Sequence, residues 1–250
     1  MIRRRASRWA AEHLRHDWLP LRSGRPILSI TFDDVIASAC VNGAAVLAKH
    51  GVKATWYVAG GLTDRAEAGK PTHSLDQLRA LHADGHELAC HGWSHQRCTA
   101  LSSDELESEL VRSRDLLSTV VGHPVDGPLD FAYPLGDQGL RTRAVIARQR
   151  RSQRVTGGGM HRGRADLGRL GSFRLYGRTD TRIEWEPFLR ELAATDGGWG
   201  IVNTHGVDGD PGLYGTTPEN LDAMVGLALE LGCQVLPVGV AIGELSGRRA

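Results

Sequence analysis

The sequence predicts an α/β fold, a single-domain (β/α) barrel with about seven parallel strands. Short apolar segments alternate with amphipathic stretches along the 250 residues, as expected for repeated units of a parallel strand and an outer helix. Seven or eight strands in one unbroken domain favour a barrel over an open sheet. Hydrophobic residues make up 41% of the chain and charged residues 24%, which is typical of a folded globular domain.

Each predicted strand is a short apolar run, and each predicted helix is an amphipathic stretch. We expect strands at residues 27–32, 53–58, 86–90, 129–132, 154–156, 172–175, 200–204 and 234–237. We expect helices at residues 37–50, 75–83, 102–121, 139–150, 186–195 and 218–231. Gly51 follows the first helix, and Ser102 or Ser103 can cap the third.

We divide the chain into an N-terminal arm, residues 1–25, and a barrel domain, residues 26–250. The arm begins with a basic stretch at residues 1–5, but charged residues at 12–17 interrupt any apolar segment of a secretory signal. Residues 6–19 can form an amphipathic helix that packs on the barrel. No run of about 18 apolar residues is present, so we expect no transmembrane segment. Sparse, irregularly spaced cysteines favour a reducing compartment, and we expect a cytoplasmic location.

The charge balance argues against nucleic acid as a partner. Basic and acidic residues nearly cancel and leave a formal net charge of +1, whereas nucleic-acid binders usually carry a basic excess on one face. A solvated helix end explains the one local cluster of arginines, which comprises Arg148, Arg150, Arg151 and Arg154. The glycine run at residues 157–159 lacks the spacing of a phosphate-binding motif and is predicted to be a flexible loop.

Titratable side chains follow three of the predicted strands at their carboxyl ends. Asp33 and Asp34 close the first strand. His91 follows the third strand, with His95 four positions later, and His205 follows the seventh. In a parallel barrel these strand ends meet at one mouth. One aspartate and two histidines suit a divalent metal, and the second aspartate is then available as a general base, so the pattern predicts metal-assisted hydrolysis.

Simpler structural explanations exist for these motifs. Asp33 and Asp34 can act as a helix N-cap and its solvated neighbour, because a helix follows within a few residues. A second histidine pair with the same spacing, His82 and His86, contains Gly85, which would break a helix that aligned the two rings. We interpret that pair as the end of a helix and the start of a strand.

A rival arrangement is a closed structural zinc site made of Cys90, His91, His95 and Cys98. Its weakness is that Cys90 and His91 are adjacent on an extended segment, so that their side chains should point to opposite faces. His205, for its part, can be an ordinary core or capping residue. Its catalytic interpretation depends on its predicted place at the same barrel mouth as the other groups.

These residues carry a resemblance to a known family. Thr31-Phe32-Asp33-Asp34, the pair His91 and His95, and His205 resemble the first, second and fifth motifs of the NodB-type polysaccharide deacetylases, carbohydrate esterase family 4. The segment at residues 131–136 resembles the third motif in its Tyr-Pro-x-Gly variant. The resemblance covers residues 26–243 in the expected order. It implies a distorted (β/α) barrel, a divalent metal that is commonly zinc, and deacetylation of N-acetylated amino sugars.

The resemblance assigns a role to each matching residue. Asp33 resembles the catalytic base and His205 the general acid. The residues that resemble the metal ligands are Asp34, His91 and His95. A metal held by three protein ligands keeps open positions for the nucleophilic water and for the substrate carbonyl oxygen. The residues expected to contact the substrate are Tyr133, Pro134, Leu135 and Asn203, with the backbone N–H of Leu135 as a donor to the oxyanion.

The chain departs from the family pattern at several positions. Where many relatives carry an arginine that orients the base, it has Ala132. We expect Arg174 from a neighbouring strand to take this role, and the alternative is that Arg174 is an ordinary surface residue. Asn203 replaces the usual leucine of the pocket for the acetyl methyl group. The motifs leave the partner of the general acid unassigned, with Asp166 and Asp180 as the candidates.

The sequence therefore predicts a metal-dependent hydrolase that removes the N-acetyl group from an amino sugar in a polysaccharide, an oligosaccharide or a glycan precursor. We expect an N-acetylated saccharide as its partner and zinc as the most suitable ion, with cobalt or nickel also acceptable. Two alternatives stay open. The chain can hydrolyse another non-peptide amide, as the departures at Ala132 and Asn203 suggest, or it can be a catalytically silent barrel that binds saccharide.

Overall fold

Strands and helices alternate along the chain. The computed structural model describes residues 7, 9, 11, 13, 14, 16–22, 24–178 and 180–247. The strands are β1 (Trp18–Pro20), β2 (Ile27–Asp33), β3 (Thr55–Val58), β4 (Ala66–Glu67), β5 (Lys70–Pro71), β6 (Glu87–Cys90), β7 (Leu129–Ala132), β8 (Arg150–Arg154), β9 (Met160–His161), β10 (Arg164–Asp166), β11 (Phe173–Arg174), β12 (Trp199–Thr204) and β13 (Gln234–Val235). The α-helices are α1 (Ala44–Lys49), α2 (Leu75–Ala83), α3 (Ser103–Val121), α4 (Leu140–Ile146), α5 (Arg182–Ala193), α6 (Pro218–Glu230) and α7 (Val238–Ser246). A π-helical turn, Ala39–Gly43, leads into α1.

Seven parallel strands form one curled sheet within the described part of the chain. Their spatial order is β11-β12-β2-β3-β6-β7-β8, with β13 parallel to the start of β2 and β9 antiparallel to β12. Backbone hydrogen bonds bring the two outer strands of the sheet together, because Val155 N donates to Leu170 O at 2.8 Å and Gly157 N donates to Ser172 O at 2.9 Å. The prediction of a distorted barrel with about seven parallel strands is confirmed.

The central strand β2 shows how the core and the site share one element. All seven of its residues are buried, and alternate side chains face opposite sides of the sheet. Leu28, Ile30 and Phe32 belong to the apolar core beneath the helices, where the Phe32 ring stacks on Trp56 at a centroid distance of 4.1 Å. The intervening positions carry buried polar side chains that end in Asp33 at the carboxyl end of the strand.

Local signals in the sequence place several elements at their observed bounds. Helix α2 spans the predicted residues, and Ser74 caps it in a capping box with Gln77. Helix α3 begins at Ser103, with Ser102 as N-cap and Glu105 closing the second capping box. Each box satisfies backbone N–H groups that the first helical turn cannot bond internally.

The arginine cluster was misread from the sequence. The predicted helix at 139–150 ends at Ile146, and Arg150–Arg154 is the strand β8 rather than a solvated helix end. Arg150 and Arg154 are buried, and Arg150 donates to Leu110 O at 2.8 Å. Charged side chains are buried only when other groups satisfy them, and here these groups lie far away in the sequence. A strand rich in arginine also lacks the apolar pattern by which a buried strand is predicted.

The two ends of the described chain differ from the predictions. The amphipathic helix expected at residues 6–19 lies partly outside the described residues, and its last part is wrong, because Trp18–Pro20 forms β1 and pairs antiparallel with β10. The C-terminal helix α7 was not predicted. Its apolar residues pack with Ile27, Trp199 and Ile201 in a second core cluster.

The second histidine pair has the structural explanation proposed for it. Helix α2 ends at Ala83 and β6 begins at Glu87, so that His82 lies in the helix and His86 directly precedes the strand. The His86 Nδ1 atom accepts a hydrogen bond from Ala54 N at 3.1 Å. Among the residues described, no helix has both the length and the apolar character needed to cross a bilayer.

Candidate active site

The strand ends of the sheet open into a cleft of about 460 Å³. Five residues singled out in the sequence line it together, namely Asp33, Asp34, His91, His95 and His205. They come from the carboxyl ends of β2, β6 and β12 and the loops that follow, as the topology of parallel strands requires. The structure therefore brings these side chains into one cleft, and their individual roles stay predictions.

The possible metal-ligating atoms of Asp34, His91 and His95 converge on one point. Asp34 Oδ1 lies 3.3 Å from His91 Nε2 and 2.9 Å from His95 Nε2, and the possible ligand atoms all lie within 4.8 Å of one another. His91 Nδ1 lies 2.8 Å from the carbonyl oxygen of Ala132, which can only accept, so the proton is on Nδ1 and the Nε2 lone pair faces the donor set. Asp34 Oδ1 is buried and has no aligned hydrogen-bond donor within the described chain.

This donor set fits a divalent cation. Two imidazole nitrogens and one carboxylate oxygen are ligands that zinc and related ions accept, and three protein ligands leave coordination positions open. Burial tends to raise the pKa of Asp34, but the imidazoles of His91 and His95 and the nearby His205 hold it well below its usual range. Asp34 is therefore ionised at neutral pH, as a metal ligand must be.

Strained backbone conformations are concentrated at the cleft. Asp34, Val35, His95 and Leu135 have positive φ angles of 59°, 55°, 55° and 57°. For residues other than glycine such conformations cost about 1–3 kcal/mol each and persist only where the surrounding structure imposes them. Backbone and side chain of His73 both hold the Val35 carbonyl, with N···O distances of 2.9 and 3.1 Å. The turn that presents Asp34 is thus fixed before any ligand binds.

Glu109 braces the loop between the two histidines. It lies on α3, and its Oε2 accepts hydrogen bonds from the backbone N–H groups of Trp93 at 2.7 Å and Ser94 at 2.8 Å. The Trp93 carbonyl accepts from Gly61 N at 2.8 Å. The sequence did not single out Glu109, because a glutamate on a long amphipathic helix looks like an ordinary surface residue.

Arg154, and not Arg174, contacts the predicted base. Arg154 is fully buried, donates to Asp33 Oδ1 through Nη2, and stands over the Tyr57 ring at 5.1 Å. Arg174 is exposed, and its side chain donates a hydrogen bond to Thr156 Oγ1 at 3.4 Å. The expectation for Arg174 was wrong, because it assumed a neighbouring strand end. The guanidinium comes instead from the last residue of β8, across the barrel interior.

Asn203 lies behind the cleft rather than in its lining. It is fully buried, accepts a hydrogen bond from Ser172 Oγ at 2.9 Å, and donates from Nδ2 to the Tyr176 hydroxyl at 2.8 Å. Ser172 Oγ in turn lies 3.3 Å from Arg154 Nη1. Asn203 therefore links the buried arginine to Tyr176, which does line the cleft. Its predicted contact with the acetyl methyl group is not supported.

Three residues of the third motif line the cleft, namely Tyr133, Leu135 and Gly136, whereas Pro134 does not. Pro134 is buried in a short turn, Pro134–Gly136, and its predicted substrate contact stays a prediction. Tyr133 is almost completely buried and donates its hydroxyl proton to Gln153, so it forms part of the cleft floor.

His205 is oriented by a backbone carbonyl rather than by a carboxylate. Its Nδ1 lies 3.1 Å from Tyr214 O, which places the proton on Nδ1 and leaves Nε2 facing Asp34 Oδ2 at 3.7 Å. The rings of Tyr176 and Tyr214 pack around it at centroid distances of 5.7 and 5.6 Å.

Neither aspartate proposed as the partner of His205 contacts it. Asp166 pairs with Arg143 at 2.7 Å and with His16 at 2.9 Å. Asp180 accepts a hydrogen bond from the Arg182 backbone N–H at 2.8 Å. Both carboxylates hold local structure elsewhere in the chain, so the two predictions were wrong.

The rival zinc site is also wrong. Cys90 and Cys98 are buried in an apolar cluster with Leu106 and Leu110. Within the described residues, the group with converging donor atoms is the one formed by Asp34 and the two histidines. The extended segment at the end of β6 sends Cys90 into the core and His91 into the cleft, as alternation along a strand requires.

Loss of Arg154 is expected to destabilise the fold. Arg154→Met removes the guanidinium and leaves the buried Asp33 carboxylate without its partner, which costs about 3–5 kcal/mol of unfolding free energy. Urea unfolding followed by circular dichroism measures the change. Arg148→Met is the matched control, since Arg148 is 69% exposed in its ion pair with Glu107 and should change the free energy by less than about 0.5 kcal/mol. An Arg154→Met chain as stable as this control would contradict the role of the pair.

A barrel with a carboxylate and two imidazoles at its mouth, and a second carboxylate beside them, is typical of hydrolases that use a metal ion. The chain belongs to the polysaccharide deacetylase family, because the model of that family, "Polysaccharide deacetylase", matches residues 22–151, just over half of the chain.

Curated relatives match a shorter segment. Chitin deacetylase 2 of Cryptococcus neoformans var. grubii serotype A is 37% identical over 71 residues, which are 28% of this chain and 15% of that protein. Chitin deacetylase 1 of the same organism is 28% identical over 101 residues, which are 40% of this chain and 19% of that protein. The matched segment thus spans less than a fifth of the length of either relative.

Solved structures of similar fold cover most of the chain. The Xyl-CE4 domain of a multidomain xylanase from the hindgut metagenome of Trinervitermes trinervoides has a TM-score of 0.58 at 19% identity, over 90% of this chain and 92% of that one. Peptidoglycan deacetylase PdaC from Bacillus subtilis has a TM-score of 0.55 at 17% identity, over 90% and 94%. A CE4 family pseudoenzyme from Bacillus anthracis, BA3943, has a TM-score of 0.56 at 16% identity, over 88% and 66%. These likenesses show the fold.

Proposed function

We propose that this chain hydrolyses the N-acetyl group of an amino sugar in a polysaccharide, an oligosaccharide or a glycan precursor, with the help of a divalent metal. The observation that carries the proposal is the convergence of Asp34, His91 and His95 beside Asp33 and His205 in one cleft. Membership of the polysaccharide deacetylase family and the chitin deacetylases among the relatives support it.

Asp34, His91 and His95 would hold the metal. A bound divalent ion, most suitably zinc with cobalt or nickel as alternatives, lowers the pKa of water and polarises the amide carbonyl. Glu109 keeps the histidine loop in place, and the His91 Nδ1 hydrogen bond keeps the Nε2 lone pair available. Supporting contacts of this kind commonly change metal affinity by about 10–100-fold.

The proton transfers fall to Asp33 and His205. Asp33 takes a proton from water as the oxygen attacks the acetamide carbonyl, and the Arg154 guanidinium holds the carboxylate oriented for this step. Leu135 lines the cleft in a turn with positive φ, and its backbone N–H would donate to the oxyanion. As the C–N bond breaks, a protonated His205 donates from Nε2 to the sugar nitrogen, and acetate and the free amine leave.

Aromatic and apolar side chains around the cleft suit a sugar ring. Tyr176 and Tyr214 flank His205, and Leu135 is 58% exposed in the cleft lining. Apolar faces of pyranose rings pack on aromatic surfaces, while ring hydroxyls bond to the polar groups beside them. We infer that Tyr133 and Leu135 contact the acetamido sugar, and that Tyr214 contacts a neighbouring part of the glycan.

Acetate release measures the proposed activity. The purified chain, stripped with a chelator and reloaded with zinc, cobalt or nickel, is expected to release acetate from N-acetylglucosamine oligomers, and the stripped chain is not. A panel of non-sugar acetamides separates this function from hydrolysis of another amide. Metal-loaded protein that binds glycan but releases no acetate from any substrate would identify a silent barrel, like the pseudoenzyme of similar fold.

A further inference from the structure

Arg174 lines the cleft but does not contact Asp33, the predicted base. It stands at the end of β11, opposite Asn203 of β12, and its side chain lines the same cleft as Asp33, Tyr176 and His205. It is exposed, and Thr156 Oγ1 holds one guanidinium nitrogen at 3.4 Å. Because Arg154 already orients Asp33, Arg174 is not needed for that task.

Arg174 differs from the other cations around the cleft, because no carboxylate partner is found for it among the described residues. Arg154 pairs with Asp33. The remaining cations of the cleft and its neighbouring groove each have a carboxylate within 4 Å: Arg97 with Asp137 at 3.9 Å, Lys70 with Asp208 at 3.6 Å, and Arg178 with Asp210 at 3.4 Å. For Arg174, no carboxylate of the described residues lies within that distance. Its side chain lines the cleft where substrate would bind.

A guanidinium that lines a cleft without a carboxylate partner among the described residues is suited to bind an anionic group of a ligand. Its planar N–H donors match a carboxylate or a phosphate in paired hydrogen bonds, which are about twice as strong as bonds between neutral groups. A neutral sugar hydroxyl satisfies one donor and leaves the charge uncompensated.

We propose that Arg174 binds an anionic substituent, a carboxylate or a phosphate, of the saccharide on which the site acts. This inference rests on the proposed deacetylase function and names its substrate class as acidic acetamido saccharides. Neutral oligomers of N-acetylglucosamine then bind more weakly than an acidic glycan of similar size. Arg174→Lys keeps part of the preference for acidic glycans, because lysine retains the positive charge but lacks the planar guanidinium.

Three probes separate a neutral ligand from the two sources of negative charge. They are N-acetylchitotetraose, a glycan that alternates N-acetylglucosamine with the lactyl carboxylate sugar N-acetylmuramic acid, and the diphosphate sugar UDP-N-acetylglucosamine. We expect the wild-type kcat/KM to be at least about tenfold higher for one acidic probe than for the neutral tetramer. Tenfold corresponds to about 1.4 kcal/mol. The acidic probe that is preferred identifies the anionic group.

Arg174→Gln is expected to lower the ratio of acidic to neutral kcat/KM by tenfold or more, mainly through KM, and Arg174→Lys to lower it less. Arg178→Gln is the control, since Arg178 is an exposed arginine whose carboxylate partner is already present, and it should leave the ratio within twofold. Melting temperatures of all variants verify that the fold is retained. A wild-type preference for the neutral tetramer, or an Arg174→Gln ratio equal to that of wild type, overturns the proposal.

Binding without turnover decides the role of Arg174 independently of the proposed function. Isothermal titration of the Asp33→Asn chain, which lacks the proposed base, should show a Kd for the preferred acidic probe at least tenfold below that for the neutral tetramer. In Asp33→Asn/Arg174→Gln the difference should shrink to less than threefold. If wild type releases no acetate from any probe, the deacetylase proposal fails, and the titration still confirms or refutes the anionic site.

Discussion

Replacing Asp34 with asparagine is expected to remove tight metal binding and to lower acetate release by about 10³-fold, because stabilisation by a metal ion is worth several kcal/mol in such reactions. Asparagine keeps the shape of the side chain and tolerates the positive φ of 59° at this position, so the turn should survive. It lacks the negative charge that the donor set of Asp34, His91 and His95 needs. Zinc content by mass spectrometry and acetate release are measured on the same preparation.

Asp64→Asn is the matched control for this experiment. Asp64 has a similar φ of 55° and is exposed, away from the three converging donors. Its replacement by asparagine should leave both zinc content and acetate release within twofold of wild type. An Asp34→Asn chain that still holds one zinc ion and keeps full activity would falsify the ligand assignment.

Asp33→Asn is expected to separate metal binding from catalysis. The amide cannot accept a proton from the attacking water, and loss of a general base lowers kcat by about 10²–10⁴-fold. The three proposed metal ligands, Asp34, His91 and His95, are unchanged, so zinc content should stay at the wild-type level. We therefore expect a folded protein that contains zinc and is nearly inactive.

The unfolding free energy of Asp33→Asn must be measured together with its activity, because Asp33 forms a buried ion pair with Arg154. The amide side chain introduced by Asp33→Asn keeps an oxygen that can accept from the guanidinium. We therefore expect a smaller loss of unfolding free energy than in Arg154→Met, where the carboxylate is left unpaired. A loaded Asp33→Asn chain with kcat within threefold of wild type contradicts the role of Asp33 as base.

Much of the fold could be predicted because its signals are local. Ser74 with Gln77, and Ser102 with Glu105, mark two helix starts within four residues of sequence each, and the apolar run of β2 has an obvious length. The convergence of Asp33, Asp34 and the histidines follows from topology, since parallel strands end at one side of the sheet. These predictions needed no knowledge of distant packing.

The errors share a different physical origin. Arg150 and Arg154 are buried on β8, where a sequence pattern expects apolar residues. Arg154 pairs with Asp33 and Arg150 donates to the Leu110 carbonyl, and both partners are distant in the sequence. Asn203 was assigned to the acetyl pocket, yet its side chain faces Ser172 and Tyr176. Which way a strand residue points depends on the register of its neighbours, and a single-residue shift reverses it.

The sequence by itself determined the α/β architecture, the helix caps and five of the residues that line the cleft, because these depend on short-range patterns and on the direction of parallel strands. Only the tertiary structure decided which arginine orients Asp33, since Arg154 lies 121 positions away along the chain and its burial depends on that contact. Arg174 has no carboxylate within 4 Å among the residues described, and this is the basis of its proposed contact with the substrate.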